Sequence, residues 1–311
     1  MLLLLLMQVW FFRYGWCENQ HSTVSPVGEF ERQCSDKPFE DAAIPTAENA
    51  LLNEYGWYGD IQSWAPDDER KERYVYDILP LAGSREPRTG FYLYEWLFES
   101  SGIWNGGEVN FDDPLIRETF KRHIREAFLH WQNDPQRAEM GGGRMPLYIW
   151  AFPPHTGDFR GLVANVKSEV PLYLICGAYD YTLPCDAFAE YYWVEDWAKP
   201  WRWNAEKYLL RIMLNAYDQW FDGHPVSFIP TFIYGFDNNV NRVEEPSDED
   251  IRWFISSVKQ LQKRGIFKSP PVFQKHLFVT SFDEINEGTA AVPTREYGYH
   301  RLNILKEALD E

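Results

Sequence analysis

The sequence has little positive charge. Its 311 residues include 30 lysines and arginines against 47 aspartates and glutamates, which gives a formal net charge of −17. A field of that sign repels the phosphate backbone of nucleic acids and the anionic surface of membranes. The composition therefore predicts that neither a nucleic acid nor a membrane is a partner.

Cysteine is also scarce, with four residues in the whole chain. No two of them form a C-x-x-C pair, so a structural zinc site is not predicted. Disulfides between Cys17 and Cys34 and between Cys176 and Cys185 are both open. In a chain of this length, however, we expect buried free thiols.

The chain opens with the apolar run MLLLLLMQVWFF, which is too short to span a bilayer. It has the length of the apolar part of a signal peptide, but no basic residue precedes it and no small-x-small cleavage site follows. We expect residues 7–14 to form a buried strand, because strands of parallel sheets read as continuous apolar runs. Residues 1–6 would then be the remnant of a leader. The localisation therefore stays open, with secretion or the periplasm as candidates.

The motifs of the commonest cofactor and nucleophile sites are absent. The sequence holds no GxGxxG, no P-loop and no GxSxG. The seven histidines are scattered, and no HxH or HExxH places two of them on one face. We therefore expect no cofactor and no metal, and a metal-dependent hydrolase is the weakest of the hypotheses.

Aromatic residues, by contrast, are abundant. The 14 Trp, 18 Tyr and 21 Phe make up 17% of the chain. Such side chains either fill a bulky core or stack on the C–H faces of sugars while their polar atoms bind hydroxyls. Composition alone leaves these two interpretations equally open.

Short apolar or aromatic runs alternate with amphipathic segments along the chain. The apolar runs, bounded by Gly, Pro or Asp, predict strands. They cover residues 7–14, 91–98, 146–152, 171–178, 187–193, 228–234 and 277–282, with 74–81 as the best candidate for an eighth. Apolar residues three, four and seven positions apart predict helices over 113–131 and 205–220, a third after Ser247 and a fourth after Arg301. Ser247 and Asp250 resemble a capping box.

This alternation predicts a parallel α/β sheet. Eight strands would close it into a (β/α)8 barrel of the TIM type, divergent or shortened at its N-terminal strands, with strand 277–282 adjacent to strand 7–14. No linker divides the chain, so residues 1–311 are interpreted as one domain. A doubly wound sheet is the alternative.

Catalytic groups of a parallel barrel lie at the carboxyl ends of its strands. Here those ends carry aromatic, carboxylate and amide side chains that are candidates for substrate binding: Glu95, Trp96, Trp150, Tyr179, Asp180, Tyr192, Trp193, Tyr234, Asp237 and Asn238. After the last strand, Asp283, Glu284 and Glu287 lie within five residues. Repulsion and desolvation would raise the pKa of one carboxyl group and leave another ionised, which glycoside hydrolysis requires.

Two stretches resemble glycoside hydrolase family 99-like proteins. SFDEINEGTAAVPTREYGYHRLNILKEAL is similar to the family's C-terminal pattern of Trp-Asn-Glu-Trp-x-Glu-Gly, then Pro and Tyr-Gly, and IPTFIYGFDNNVNR is similar to its Pro-Thr-x-x-x-Gly-Trp-Asp strand end. The resemblance implies a (β/α)8 barrel and retaining, endo-acting hydrolysis of an α-mannoside or related glycan. Glu284 would deprotonate the 2-hydroxyl of the sugar, and Glu287 would protonate the leaving oxygen and later activate water. Asn286 and Tyr297 would contact the substrate.

The motif also departs from the family. Phe282-Asp283 replaces Trp-Asn, Ile285 replaces the second Trp, and Asn286 stands where true endomannosidases have His. These changes keep the carboxylate pair, but they alter positions beside it, so the resemblance does not carry mannose specificity over to this chain. The expected partner is an oligosaccharide or polysaccharide. The alternative is a barrel that binds glycans without hydrolysing them, or one associated with polysaccharide synthesis like the WbsX-like branch of the superfamily.

Overall fold

The computed structural model of the chain describes residues 7–13, 42–64, 69–81, 88–93, 109–134, 137–150, 155–177, 181–191, 193–223, 226–237, 241–265, 273–281 and 289–311. Nine parallel strands form the main sheet. They are β1 (Gln8–Arg13), β2 (Gly59–Trp64), β3 (Arg88–Leu93), β5 (Met145–Trp150), β7 (Leu172–Gly177), β8 (Ala187–Phe188), β9 (Ser227–Phe228), β10 (Thr231–Ile233) and β13 (His276–Thr280). Two small pairs lie beside it: β4 (Val109–Asn110) with β6 (His155–Thr156), and β11 (Phe236–Asp237) with β12 (Arg242–Val243).

The strand order of the main sheet is β10-β13-β1-β2-β3-β5-β7-β8-β9. β1 pairs in parallel with β13, from Gln8 opposite His276 to Phe11 opposite Val279. The prediction that the last strand lies beside the first is therefore confirmed.

The two edges of this order belong to one segment of chain, because only Ile229 and Pro230 separate β9 from β10. The Ile229 N–H donates to the carbonyl of Phe188 at 2.8 Å, and the Phe278 N–H donates to the carbonyl of Pro230 at 3.0 Å. The segment thus contacts β8 at its start and β13 at its end. Pro230 has no N–H to donate, and the ladder is interrupted there, so the described strand pairs do not form an unbroken ring.

The two faces of the sheet pack differently. Val9 and Phe11 point into a core shared with the helices, whereas Trp10 and Phe12 belong to a second cluster in which eight of the thirteen residues lie in strands and none lies in a helix. In that second cluster the Phe12 ring centre lies 4.9 Å from that of Tyr148. A flat sheet would hold β1 and β5 three strand spacings apart, about 14 Å. The sheet must therefore curve strongly around this cluster.

Seven α-helices lie in the described part of the chain: α1 (Ala43–Tyr55), α2 (Glu69–Arg73), α3 (Pro114–Trp131), α4 (Phe159–Glu169), α5 (Trp201–Phe221), α6 (Asp248–Gly265) and α7 (His300–Asp310). The predicted capping box of α6 is present, since the Asp250 N–H donates to Ser247 Oγ and the Ser247 N–H donates to the Asp250 carboxylate. The Asp113 carboxylate caps α3 by accepting from the Leu115 N–H at 2.8 Å.

The prediction of a strand at 74–81 is wrong. Tyr74–Ile78 is π-helical and Leu79–Leu81 is a 3₁₀ turn that continue from α2. Val75, Ile78 and Leu79 are buried at helical spacing, which overrides their preference for strands. The second strand is instead Gly59–Trp64, with the sequence GDIQSW. It was missed because Asp60 and Gln62 are polar although they are buried, so the strand does not form a continuous apolar run.

Helices α1, α2 and α4 were not predicted from the sequence. α1 is fixed to the sheet by charge as well as by apolar contact. Arg13 donates to Glu48 at 2.6 Å, to Asn49 at 2.8 Å and to Asp60 at 2.9 Å. Polar residues on the buried face of α1 weaken the apolar periodicity on which sequence prediction depends.

Cys176 and Cys185 form a disulfide, with their Cα atoms 6.1 Å apart. The expectation of free thiols is therefore wrong for this pair. The disulfide forms because β8 begins beside β7, and Ile175 and Cys176 pair with Ala187 and Phe188. That pairing brings residue 185 within bonding distance of the end of β7. Cys17 and Cys34 lie outside the described residues.

His276 provides a test of how the interior of the sheet responds to acid. It is 7% exposed, and its Nδ1 accepts a hydrogen bond from Trp10 Nε1 at 3.1 Å. Burial, aided by the charge of Lys275, lowers the pKa of His276 to about 3. The unfolded chain gains a proton at about pH 6.5, so as pH falls from about 6.5 towards about 3 only the unfolded state is protonated. Stability is therefore lost over that window, by about 1.4 kcal/mol per pH unit.

We predict that His276→Asn, which keeps an acceptor for Trp10 but cannot titrate, loses less stability than the parent between pH 7 and pH 5. Urea unfolding midpoints at several pH values measure the difference. His300→Asn, at an exposed position, is the control and should follow the parent. Equal acid sensitivity of His276→Asn and the parent would contradict the prediction.

Candidate active site at the carboxyl end of the sheet

Most of the predicted site residues lie outside the described residues. They are Glu95, Trp96, Tyr179, Asp180, Tyr192, Asn238, Glu284, Asn286 and Glu287. Trp150 is the last residue of β5, but its side chain is also outside the described part. The described residues that flank these positions form the framework of the site.

Ser281 and Thr289 lie side by side at the carboxyl end of β13. The Ser281 N–H donates to the Thr289 carbonyl at 3.2 Å, and the Ala291 N–H donates back to the Ser281 carbonyl at 3.1 Å. The two hydroxyl oxygens are 3.1 Å apart. Both side chains are fully buried. These contacts, called the neck below, join the two residues that border segment 282–288.

Thr280 connects the neck to the other side of the sheet. Its hydroxyl donates to the carbonyl of Tyr191 at 2.9 Å. Tyr191 follows β8, and its ring centre lies 4.8 Å from that of Phe12. The end of β13 is therefore bonded to a residue of the aromatic cluster that packs inside the curved sheet.

An ion pair between the buried Arg301 and the partly buried Glu245 lies beside the neck. Arg301, near the start of α7, donates from Nη1 to the carbonyl of Ala290. Its Nε lies 2.8 Å from Glu245 Oε1, and its Nη2 donates to Glu245 Oε2. Burial raises the pKa of Glu245, and the facing guanidinium acts in the opposite direction.

Tyr297 contributes to this ion pair. Its ring centre is 4.1 Å from the Arg301 guanidinium carbon, a cation–π contact.

Asp237, in β11, is half-buried, and its carboxylate lies 3.6 Å from Arg242 Nε across the β11–β12 pair. The roles of Tyr297 and Asp237 towards a substrate stay predictions.

Trp193 and Tyr234 do not provide the exposed aromatic faces that the sequence predicted. Both are fully buried. Trp193 stacks on Tyr208 of α5 with ring centres 5.2 Å apart and donates from Nε1 to the Thr231 carbonyl at 2.8 Å. The Tyr234 hydroxyl donates to the Arg301 carbonyl at 2.7 Å. These two residues belong to the core between sheet and helices, so their assignment to substrate binding is corrected.

Glu190, which follows β8, lies in a network that the sequence did not reveal. Arg211 of α5 donates from Nη2 to Glu190 Oε2 at 2.7 Å and from Nε to Glu195 at 2.6 Å, and the Tyr181 hydroxyl also donates to Glu190. Burial raises the pKa of Glu190, while Arg211 and the Tyr181 hydroxyl favour its ionised form. The only sequence signal was a carboxylate at a strand end. Its partner is 21 residues away, on a helix.

Within the part of the chain that the structure describes, no group of three or more His, Cys, Asp and Glu side chains could hold a metal ion. In the same residues, no helix is both long and apolar enough to cross a membrane.

Comparison with known proteins gives matches by structure but not by sequence. No family model matches the chain, and no curated protein matches it. A glycoside hydrolase family 99 endo-α-mannosidase from Bacteroides thetaiotaomicron superposes with a TM-score of 0.63 at 14% identity, over 97% of this chain and 96% of that one. A glycoside hydrolase-like protein gives 0.69 at 16%, over 97% and 94%. A family 5 glycoside hydrolase from Prevotella bryantii gives 0.54 at 10%, over 98% and 96%.

At these identities the likeness concerns the fold. The chain has a glycoside hydrolase-like fold along nearly its whole length, with parallel strands and helices arranged as in these enzymes. The predicted resemblance to family 99-like proteins is confirmed at this level.

As a core residue, Tyr234 should contribute to the stability of the fold through its buried hydroxyl. Tyr234→Phe removes the hydrogen bond to the Arg301 carbonyl and should lower the free energy of unfolding by about 1 kcal/mol. Urea unfolding measures this, and Tyr299→Phe at an exposed position is the matched control, with an expected change below about 0.5 kcal/mol. Unchanged stability of Tyr234→Phe together with weaker glycan binding would restore the original assignment.

Proposed function

We propose that the chain is a retaining glycoside hydrolase that acts on an α-linked glycan through Glu284 and Glu287. The proposal includes a (β/α)8 barrel formed as one domain over residues 1–311. If β9 and β10 count as one strand, the nine strands of the main sheet become eight. The curvature around Phe12 and the contacts of segment 227–233 with both β8 and β13 support closure.

The neck is the observation that carries the functional proposal. It joins Ser281 to Thr289 at the carboxyl end of β13, and only residues 282–288 lie between them. Both glutamates of the predicted motif belong to those seven residues. The carboxyl ends of strands are where parallel barrels place their catalytic groups. The neck therefore supports a catalytic position for this carboxylate pair.

In the proposed reaction the two carboxyl groups divide the proton transfers. Glu284, ionised, takes the proton of the sugar's 2-hydroxyl, and the freed oxygen attacks its own anomeric carbon. Glu287, protonated, gives its proton to the leaving oxygen. In the second step Glu287 takes a proton from water, whose oxygen opens the strained ring at the anomeric carbon while the 2-oxygen recovers its proton from Glu284. Two inversions give net retention. Neither carboxylate bonds to carbon, so the spacing of about 5–5.5 Å for direct displacement is not required.

The substrate is proposed as an α-linked oligosaccharide or polysaccharide. The family 99 neighbour is an endo-α-mannosidase, which supports an α-glycan. Ile285 and Asn286 differ from the family pattern at positions beside the glutamates, so mannose itself is left open. The net charge of −17 favours a neutral or weakly charged glycan over polyanions. The Cys176–Cys185 disulfide favours an oxidising compartment such as the periplasm or the cell exterior.

The proposal is tested by variants of the two glutamates. On a panel of α-linked mannans and other bacterial, algal and fungal polysaccharides, the parent should release reducing ends, and the first product should keep the α configuration by ¹H NMR. Glu284→Gln and Glu287→Gln should each lower turnover by about 10²-fold or more, as expected for general acid–base groups.

Glu249→Gln, at an exposed position in the first turn of α6, is the matched control and should keep full turnover. Full activity of both glutamate variants would refute the assignment of the catalytic pair. Glycan binding by calorimetry without any turnover in the parent would instead support the non-hydrolytic barrel.

A further inference from the structure

We propose that Arg301 is a positioning residue that holds the neck, and through it the catalytic carboxylates, in a fixed place relative to the sheet. The inference rests on the proposed function for its catalytic consequence. The positioning of the neck by Arg301 depends only on contacts among described residues, so it can be tested without any assumption about catalysis.

Arg301 reaches three elements at once. Its Nη1 donates to the carbonyl of Ala290, the residue after Thr289 in the neck. Its Nε and Nη2 donate to the two oxygens of Glu245, which follows β12. Its own backbone carbonyl accepts from the hydroxyl of Tyr234, the residue after β10. One buried side chain and its peptide therefore connect the neck to the neighbouring strand and to the start of α7.

The guanidinium has little freedom to move. Arg301 is 2% exposed, and its guanidinium carbon lies 4.1 Å from the Tyr297 ring centre and 5.2 Å from that of Tyr234. A planar fork with a bidentate carboxylate has one favoured orientation, which also fixes the direction of the remaining N–H groups. The direction in which Nη1 points towards the Ala290 carbonyl is thus fixed by the pairing of the guanidinium with Glu245 and not by the neck.

A lysine could not reproduce this arrangement. Its single ammonium could not serve both Glu245 and the Ala290 carbonyl, and paired with Glu245 it would leave the carbonyl of the fully buried Ala290 without this donor. The two neck hydrogen bonds, Ser281 to Thr289 and Ala291 to Ser281, would then open more often. Catalysis by proton transfer is sensitive to such displacements, because shifts on the order of 1 Å can lower rates about 10²-fold.

Arg211 offers a matched control. It pairs through two nitrogens with a buried carboxylate, that of Glu190, and it also donates to Glu195 and to the Tyr181 hydroxyl, three residues that lie outside the neck. Arg211→Lys should therefore lower overall stability as Arg301→Lys does, without a specific effect on the neck.

Amide hydrogen exchange tests the hold without any substrate. In Arg301→Lys, protection of the Ser281 and Ala291 amides should fall at least tenfold relative to the parent, after correction for global unfolding. Arg211→Lys should leave them unchanged. Glu245→Gln, which keeps the shape of the acceptor and removes its charge, should give the same direction with a smaller effect and serves if Arg301→Lys fails to fold.

Kinetics then test the catalytic consequence on the glycan that the parent cleaves. Arg301→Lys should lower kcat at least tenfold with KM within about threefold and shift the pH profile of kcat, whereas Arg211→Lys should keep all three. Unchanged protection of the neck amides in Arg301→Lys would overturn the proposal whatever the turnover. Absence of turnover in the parent would overturn the proposed function alone, because the exchange result does not depend on it.

Discussion

Phe12 packs against Tyr148, Tyr191 and Phe278 with ring centres 4.8–5.4 Å apart, and the shape of the molecule depends on this contact. The four rings come from β1, its neighbour β13, β5 and the residues after β8, and in a flat sheet β5 and β8 would lie three and five strand positions from β1. Their contact forces the sheet to curve, so the helices can cover only its outer face. The same curvature brings the carboxyl ends of the strands around one area. It therefore creates the place where a site can form before any catalytic residue is considered.

Around this aromatic centre, two buried arginines and one partly buried arginine connect helices to strand ends. Arg13 joins α1 to β1 and β2, Arg211 joins α5 to Glu190, and Arg301 joins α7 to the neck. Buried ion pairs contribute little net stability because desolvation opposes their attraction. An arrangement that separates the two partners is nevertheless costly in free energy, because it leaves a charge unpaired away from water. Each pair thus favours one relative placement of helix and strand.

The Arg301 pair and the neck also separate the support of the site from its chemistry. Ser281 and Thr289 hydrogen-bond to each other, and Arg301 bonds to Glu245 and to the Ala290 carbonyl, so in the proposed function these four residues act as supports. That leaves segment 282–288, which the neck borders, to carry the reacting groups in the proposed function. Such supporting shells commonly decide whether reactive carboxylates are held precisely enough to act.

The sequence by itself determined the parallel α/β class, the adjacency of the first and last strands, and helices such as α3 and α6, because apolar periodicity and capping residues act locally. It also pointed to the carboxylate pair after the last strand. Only the tertiary structure decided that 59–64 and not 74–81 is the second strand, that Trp193 and Tyr234 are core residues, and that Cys176 bonds to Cys185. Buried polar partners disguise strands and helices such as β2 and α1, and the exposure of an aromatic ring depends on which helix covers it. Both are contacts between residues far apart in the chain, which no local pattern encodes.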